Sequence, residues 1–355
     1  MNKKFFMGIA AMAALTLVSC SSDDLDSVSD NSSKNEAISF DGYLGRSAVA
    51  VNGSRGSEVK IDQLKTGGFG VFGNYSKETT TAYGNSLFDN QQVTYDNDKS
   101  KWTYSPLKFW PSDGHIDFLA YAPFDKNKTI NNTSFEFIVD SDVANQKDLL
   151  WANAKNQAKT NKPVTFTFNH ALSRLGYTVK LSGDYSSDAT FTLKKITLAG
   201  SDNGTTGAFY EKGTIDLAQA NKDANLWSGQ TGQQKFDWFS GDYIVNKSTK
   251  SHPDKVDNGN RDQNEDYLFV IPQDFSKTEG GADKLYVIVT YDIKYNGVTE
   301  PITNTVYKQI IKKFEQGKAY IINLTIGLTP IEFNAAVTDW VDAENPNNDI
   351  PVTWD

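Results

Sequence analysis

The stretch YIINLTIGLT-P-IEFNAAVT, Tyr320 to Thr338, alternates apolar and polar residues on both sides of Pro330. Successive side chains of a β-strand point to opposite faces, so a period of two indicates a strand with one buried face. Proline removes a backbone donor and separates the two runs. The stretch therefore predicts two consecutive strands, and it sets the pattern that the rest of the chain repeats.

Similar runs rich in Val, Ile, Thr, Tyr and Phe recur along the chain and are bounded by Gly, Asn, Asp and Pro. Hairpin turns are predicted at 96–100 and at 295–297. Long helical periodicity is nearly absent, and only Val143–Ala158 and Leu217–Trp227 are compatible with short helices. We expect an all-β chain built of sandwiches. The further predicted strands are Gly68–Tyr75, Ser134–Val139, Val164–Phe168, Tyr177–Leu181, Ala189–Leu198, Tyr267–Ile271, Lys284–Lys294 and Val306–Lys312.

The N-terminus has the pattern of an export signal that ends in a modified cysteine. Lys3 and Lys4 precede an apolar run of about fourteen residues, which is too short to span a bilayer but fits a signal-peptide core. The run ends in L-V-S-C at Cys20, the single cysteine, which resembles a bacterial lipobox. We predict that residues 1–19 are a signal peptide and that Cys20 carries lipid; the alternative is a buried free cysteine.

Residues 20–35 are rich in Ser, Asp and Asn and predict a disordered, acidic tether. They resemble the tag that sends lipoproteins of Bacteroides-like bacteria to the outer surface, although a plain solvated tether has the same composition. The whole chain has 35 basic and 44 acidic residues, a net charge of −9, and loses two lysines with the signal. This acidic balance argues against nucleic acid as a partner.

No catalytic, cofactor or metal constellation is predicted. Gly68–Gly73 matches G-x-G-x-x-G but is itself strand-like and precedes no predicted helix, as a dinucleotide site requires. The acidic run at Asp96 lacks the glycine and glutamate of a calcium loop and reads as a turn. His115, His170 and His252 are far apart in sequence, and His170 is expected to be a hydrogen-bonded structural residue.

Several blocks resemble those of the fimbrillin family, and they occur along the chain in the order typical of that family. Fimbrillins are the subunits of lipoprotein-derived pili of Bacteroidales. The clearest is Phe109-Trp110-Pro111 followed by Phe118-Leu119-Ala120-Tyr121-Ala122-Pro123. We expect the aromatic residues of these blocks, Trp110, Phe118, Tyr121 and Trp151, to lie in the core. The other blocks are Ile38-Ser39-Phe40, Gly68–Phe72, Asp148–Ala152, Val164–Leu172, Tyr267–Pro272, and Gly317–Tyr320 running on to Trp340.

The resemblance implies two tandem transthyretin-like β-sandwiches, here residues 36–173 and 174–355. It also implies that an arginine-specific protease cuts a loop after lipidation and removes the first strand, so that another subunit can donate a strand to the vacated groove. We expect Arg55, flanked by small residues, as the cut and Arg46 as the reserve; both are otherwise ordinary loop arginines. The displaced strand would carry Ile38, Phe40 and Leu44 on one face.

These features together predict a non-enzymatic structural subunit of a cell-surface pilus that supports adhesion. Its partners would be other pilus subunits, the outer membrane through the lipid, and a host or bacterial surface ligand. An uncleaved lipoprotein of the outer membrane that binds glycans or anchors a pilus is the alternative, and a hydrolase is a third class. Aromatic side chains on one flat platform favour a glycan binder, and clustered carboxylates in a cleft favour a hydrolase.

Overall fold

The computed structural model of the protein describes most of the residues that follow residue 35. The residues that it describes are 36–44, 59, 61–78, 80–81, 83–84, 86–220, 224–251, 267–277, 279–328, 332–339 and 349–350. Among them, no helix is both long and apolar enough to cross a bilayer.

The described chain is nearly all strand, as the alternating sequence predicts. Its first half contains one short helix and eight strands, with a single 3-10 turn at Val143–Asn145. These elements are β1 (Phe40–Leu44), α1 (Ile61–Gly67), β2 (Phe69–Ser76), β3 (Ser86–Asp96), β4 (Lys101–Thr103), β5 (His115–Ala122), β6 (Ser134–Ile138), β7 (Leu150–Gln157) and β8 (Val164–His170).

The second half contains strands throughout its described residues. Some are only two residues long, and the longest have ten or eleven. They are β9 (Ser173–Leu181), β10 (Ala189–Ala199), β11 (Lys212–Asp216), β12 (Trp227–Thr231), β13 (Phe236–Val245), β14 (Lys250–Ser251), β15 (Leu268–Val270), β16 (Gln273–Asp274), β17 (Tyr286–Tyr295), β18 (Ile302–Gln309), β19 (Lys313–Phe314), β20 (Lys318–Ile326), β21 (Glu332–Asp339) and β22 (Asp349–Ile350).

A seven-stranded sheet in the order β1-β8-β7-β5-β2-β3-β4 organises the first half. The second half has a four-stranded sheet, β13-β10-β17-β18, and a larger one, β14-β9-β20-β21-β22, to which β15 adds through β9. Strand β6 joins the halves, because it pairs with β11, which pairs with β12 on its other side, in a separate three-stranded sheet. The stretch that opened the sequence analysis forms β20 and β21, paired antiparallel from Lys318↔Asp339 to Thr325↔Glu332.

Strand β5 is buried on both faces. Ile116 and Phe118 belong to one apolar core, whereas Leu119 and Tyr121 belong to a second core shared with the strands of the second half. Such a two-sided strand reads as a continuous apolar run rather than an alternating one. The seven-stranded sheet thus separates two cores, and the predicted domain division at 173/174 stays a prediction.

The four aromatic residues predicted for the core are buried: Trp110, Phe118, Tyr121 and Trp151. The hairpin at 96–100 is confirmed by the pairing of Tyr95 with Trp102, and that at 295–297 joins β17 to β18. Two glycines of the G-x-G-x-x-G match, Gly70 and Gly73, lie within β2 and allow neighbouring side chains to pack closely against it. A Cβ at Gly70 would lie 2.4 Å from the Tyr121 ring, and one at Gly73 would lie 2.8 Å from Phe88.

The described residues of the two segments compatible with short helices form no α-helix, and only the 3-10 turn at Val143–Asn145 is helical. Residues 150–157 of the first candidate helix form β7 between β5 and β8, and the described residues of Leu217–Trp227 contain no helix. Leu150 and Trp151 are buried on opposite faces of the sheet, so tertiary pairing outweighed local preference. Among the described residues the one α-helix is α1, which has seven residues and buries Leu64, and it is too short for periodicity to reveal.

Candidate functional site at the first strand

Strand β1 lies at one edge of the seven-stranded sheet and pairs parallel with β8 alone among the described strands. The ladder runs from Phe40↔Val164 to Leu44↔Phe168, and the Val164 amide donates to the Ser39 carbonyl at 2.8 Å. The ladder fixes the register of β1 against β8. The other edge of β1 faces β4, the strand at the far end of the same sheet.

The segment just before β1 is bonded to residues 104–110, which follow β4 at that far end. The Ile38 amide donates to the Lys108 carbonyl at 2.8 Å, and the Trp110 amide donates to the Glu36 carbonyl at 3.0 Å. The Tyr104 hydroxyl donates to the Ile38 carbonyl at 2.7 Å, and burial raises the pKa of Tyr104, so the phenol stays a donor. The sheet is therefore curled, and residues 36–44 close the seam between its two edges.

Phe40 is the centre of an aromatic cluster inside the curled sheet. Its ring meets Phe88 and Phe118 edge-on, with centroids 5.3 and 5.4 Å away, and stacks on Phe166 at 5.7 Å. Tyr104 lies 5.3 Å away on a fourth side. Pairs of this kind contribute about 0.5–1.5 kcal/mol each beyond their area burial.

The predicted one-sided face of the first strand is present. Ile38 and Phe40 are 1% and 4% exposed and belong to the same core, against which half-buried Leu44 packs. Tyr43 points outward and is 52% exposed. The strand crosses the core closely at Gly42, where a Cβ would lie 3.2 Å from the Phe69 ring.

Three predicted site residues, Cys20, Arg46 and Arg55, lie outside the described residues. The Val59 amide donates to Asp148 Oδ2 at 2.9 Å. The same oxygen is 2.9 Å from His170 Nδ1 at the end of β8. Asp148 is fully buried, so this carboxylate ties buried Val59 to the end of β8.

Sequence reasoning predicted a hydrogen bond at His170 but missed its partner and the role of Asp148. The available signal was the acidic residue at the head of the apolar run Leu149-Leu150-Trp151-Ala152. An aspartate next to buried strand residues is expected to be paired, because an unpaired buried charge is costly.

His115 and the acidic run at Asp96, which the sequence analysis did not interpret as sites, have structural roles. His115 Nε2 lies 2.9 Å from Thr81 Oγ1, and the amides of Asp98 and Lys99 donate to Asp96 Oδ1 within the β3–β4 turn. Within the described part of the chain, no three His, Cys, Asp or Glu side chains cluster closely enough to hold a metal ion.

A sequence model described as fimbrillin-like matches residues 59–340. A fimbrial protein of Bacteroides vulgatus ATCC 8482 has a similar structure, with a TM-score of 0.61 at 21% identity over 86% of this chain and 100% of that chain. A candidate cell adhesion protein of Bacteroides uniformis ATCC 8492 aligns with a TM-score of 0.49 at 16% identity over 86% and 98% of the two chains. No curated protein matches the chain. At these identities the structural likeness shows the fold alone.

Proposed function

The chain belongs to the fimbrillin-like family, and on this premise we propose that it is a structural, non-catalytic subunit of a cell-surface pilus that supports adhesion and assembles by strand exchange. The observation that carries the proposal is the position of the first strand. It closes the seam of a curled sheet, and its central side chain fills an aromatic cluster.

Export and anchoring would precede assembly. In the proposed sequence the Cys20 thiol is acylated, the signal of residues 1–19 is removed, and the acidic tether of residues 20–35 holds the folded part at the outer membrane. The two sandwiches of residues 36–173 and 174–355 would be exposed at the cell surface. Cleavage at Arg55, or at Arg46, would then separate the first strand from the rest of the chain.

Loss of residues 36–44 would create two defects. The β8 edge would lose the partner of Val164–Phe168, and unpaired strand edges recruit other strands. The pockets of Ile38 and Phe40 would also open, and each such side chain contributes about 1.5–3 kcal/mol when buried. An incoming strand with apolar residues at alternate positions repairs both defects, which is β-augmentation. Cleavage gives the exchange a direction, because the original strand is no longer tethered.

The C-terminal strands β21 and β22 are the candidates for the strand that this subunit would donate. They pair with each other through Ala335↔Ile350, and β21 pairs with β20. A donor role for them requires that they leave this sheet. Pro346 and Pro351 flank β22 and limit the length over which that part of the tail can pair.

The alternative of an uncleaved glycan-binding lipoprotein draws little support from the exposed aromatics of the four-stranded sheet. Tyr307, which is 55% exposed, lies against Tyr286 with ring centroids 6.1 Å apart and an interplanar angle of 72°. The two rings are not coplanar, so together they do not form the single flat platform that would favour a glycan binder.

The experiment is the intact mass and N-terminal sequence of the protein extracted from the surface of its native cells. A chain that begins at Gly56 or Ser47 and runs in high-mass ladders under mild denaturant would support a polymerising subunit. A monomer that begins at acylated Cys20 would reject strand exchange and favour an anchor or a glycan-binding lipoprotein. Arg55→Ala and Arg46→Ala variants, made singly and together, would assign the cut.

A further inference from the structure

The first strand and a segment near the C-terminus carry the same side-chain pattern. Residues 38–44 read I-S-F-D-G-Y-L, and residues 331–337 read I-E-F-N-A-A-V. At alternate positions, both have an aliphatic residue, an aromatic residue, a glycine or alanine, and a second aliphatic residue. With Ile, Leu and Val as the aliphatic residues, this combination occurs nowhere else in the chain. The two segments therefore share the shape of one strand face, and not only its alternation.

The buried face of the first strand accepts the C-terminal segment position by position. Ile38 and Phe40 are buried, and Leu44 packs half-buried against the same core. In the register that sets residue 331 at position 38, the first two side chains are identical. The last is a valine in place of leucine, which removes one methylene, and apolar cores tolerate such a change far better than a polar replacement.

Position 42 is the most selective point of the groove that holds the first strand. A Cβ added to Gly42 would lie 3.2 Å from the Phe69 ring, 3.5 Å from the Phe168 ring and 3.6 Å from the Trp102 ring. A single methyl group fits if its neighbours shift slightly, whereas a larger side chain would extend into these rings. The C-terminal segment has Ala335 at this position, which meets that limit.

Residues 332–337 of the C-terminal segment lie in β21, which pairs with β20 over its whole length. On its other side, among the described residues, β21 pairs with β22 at two positions only, Ala335 and Ala336. Strand β21 therefore lies near the edge of its sheet, where a strand can leave with the loss of one long ladder. It belongs to a different sheet from β8, so a neighbouring copy is the simpler source of a strand for the groove of β1.

We infer that the partner of the vacated groove is a second copy of this chain, which donates residues 331–337. The donor binds parallel to β8 in the register of the first strand, with Phe333 in the pocket of Phe40. The reverse direction is excluded because it would set Phe333 at the narrow position of Gly42. The choice of partner rests on the proposed strand exchange, whereas the fit of the segment to the groove does not.

The fit is tested in the uncleaved mature chain with two chimeras. The matched chimera carries the sequence of residues 331–337 at positions 38–44. The shifted chimera carries the sequence of residues 332–338 there, which sets a glutamate and an asparagine in the pockets of Ile38 and Phe40. The substitutions of the matched chimera are Ser39→Glu, Asp41→Asn, Gly42→Ala, Tyr43→Ala and Leu44→Val.

Hydrogen exchange of the Val164 amide, which donates to the Ser39 carbonyl, measures how firmly each strand is held. We expect a rate within about tenfold of wild type for the matched chimera, and a rate faster by at least about a hundredfold for the shifted one. A matched chimera that does not fold, or that exchanges as fast as the shifted one, would overturn the proposal. A shifted chimera that is held as firmly as the matched one would overturn the register.

The partner is tested in native cells with a pair of cysteines. In the proposed register, residue 336 of the donor lies opposite Thr167 on the exposed surface of β8, as Tyr43 does in the uncleaved chain. Thr167→Cys with Ala336→Cys should therefore give disulfide-linked ladders on non-reducing gels. Thr167→Cys with Val337→Cys, which is one residue out of register, should give none.

Two results would overturn the second copy as donor: disulfides that form only within single chains, and polymers that lack the cross-link between positions 167 and 336. Absence of any polymer would reject strand exchange itself, and the choice of partner with it. The chimeras decide the fit of the segment in either case, because they are studied in the uncleaved chain. The failure of the proposed function and the failure of this inference are thereby distinguished.

Discussion

The substitution Phe40→Ala tests whether the first strand is held mainly by its central side chain. Phe40 is 4% exposed and contacts four aromatic rings at centroid distances of 5.3 to 5.7 Å. Truncation of a buried phenylalanine to alanine lowers the free energy of unfolding by about 3–5 kcal/mol, because it removes apolar atoms that were buried from water and leaves a cavity. The loss in global stability is limited by the free energy with which β1 docks, because a weakened strand can detach before the rest unfolds.

Two assays cover both cases. Urea unfolding of the uncleaved chain measures the global loss, and amide hydrogen exchange at Val164, whose N–H donates to Ser39, measures local detachment. We expect either a loss of about 3–5 kcal/mol or exchange faster by about two to four orders of magnitude. The matched control is Tyr43→Ala on the same strand, where the side chain is 52% exposed and the expected change is about 0.5 kcal/mol or less.

Two results would refute this reasoning. If Phe40→Ala leaves both the urea midpoint and the Val164 exchange rate at wild-type values, the aromatic cluster does not hold the strand. If Tyr43→Ala costs as much as Phe40→Ala, the strand is held by its backbone ladder and exposed face. In either case the exchange of strands would need another source of affinity.

Three further predictions concern the surroundings of the site. His170→Ala removes a part-buried donor from the buried Asp148 carboxylate and should lower the free energy of unfolding by about 1–3 kcal/mol. Urea unfolding measures this loss, with Thr167→Ala on the exposed surface of β8 as the control. Gly70→Ala places a Cβ 2.4 Å from a buried ring and should destabilise the fold by about 1–3 kcal/mol, whereas a Cβ at Gly67 meets nothing within 4 Å and Gly67→Ala should have little effect on the thermal midpoint. Burial raises the pKa of three phenols to about 12 from a usual value near 10. Their contribution to stability is therefore complete below pH 10 and is lost as the pH rises from 10 to 12. Urea midpoints and ultraviolet titration of phenolate across this range would contradict this prediction if ionisation preceded any loss of stability. These phenols belong to Tyr83, Tyr121 and Tyr320.

The all-β class, most strands and the buried aromatic residues could be predicted from the sequence. Alternation at Tyr320–Thr338 is a local signal, since the pleat fixes which side chains share a face whatever the partner strand is. The same signal placed Ile38 and Phe40 on one buried face. Strand β7 was misread because its apolar residues face two different cores and show neither a strand nor a helix period cleanly.

Tertiary structure alone decided how the first strand is held. Its parallel pairing with β8 joins residues more than a hundred positions apart, and its bonds to Lys108 and Tyr104, which follow β4 at the opposite edge, depend on the curl of the whole sheet. The meeting of Val59, Asp148 and His170 likewise joins three segments that no spacing in the sequence relates. Periodicity in the sequence indicates which face of a strand is buried. Contacts between distant segments are fixed only when the strands pair and the sheets pack around their cores.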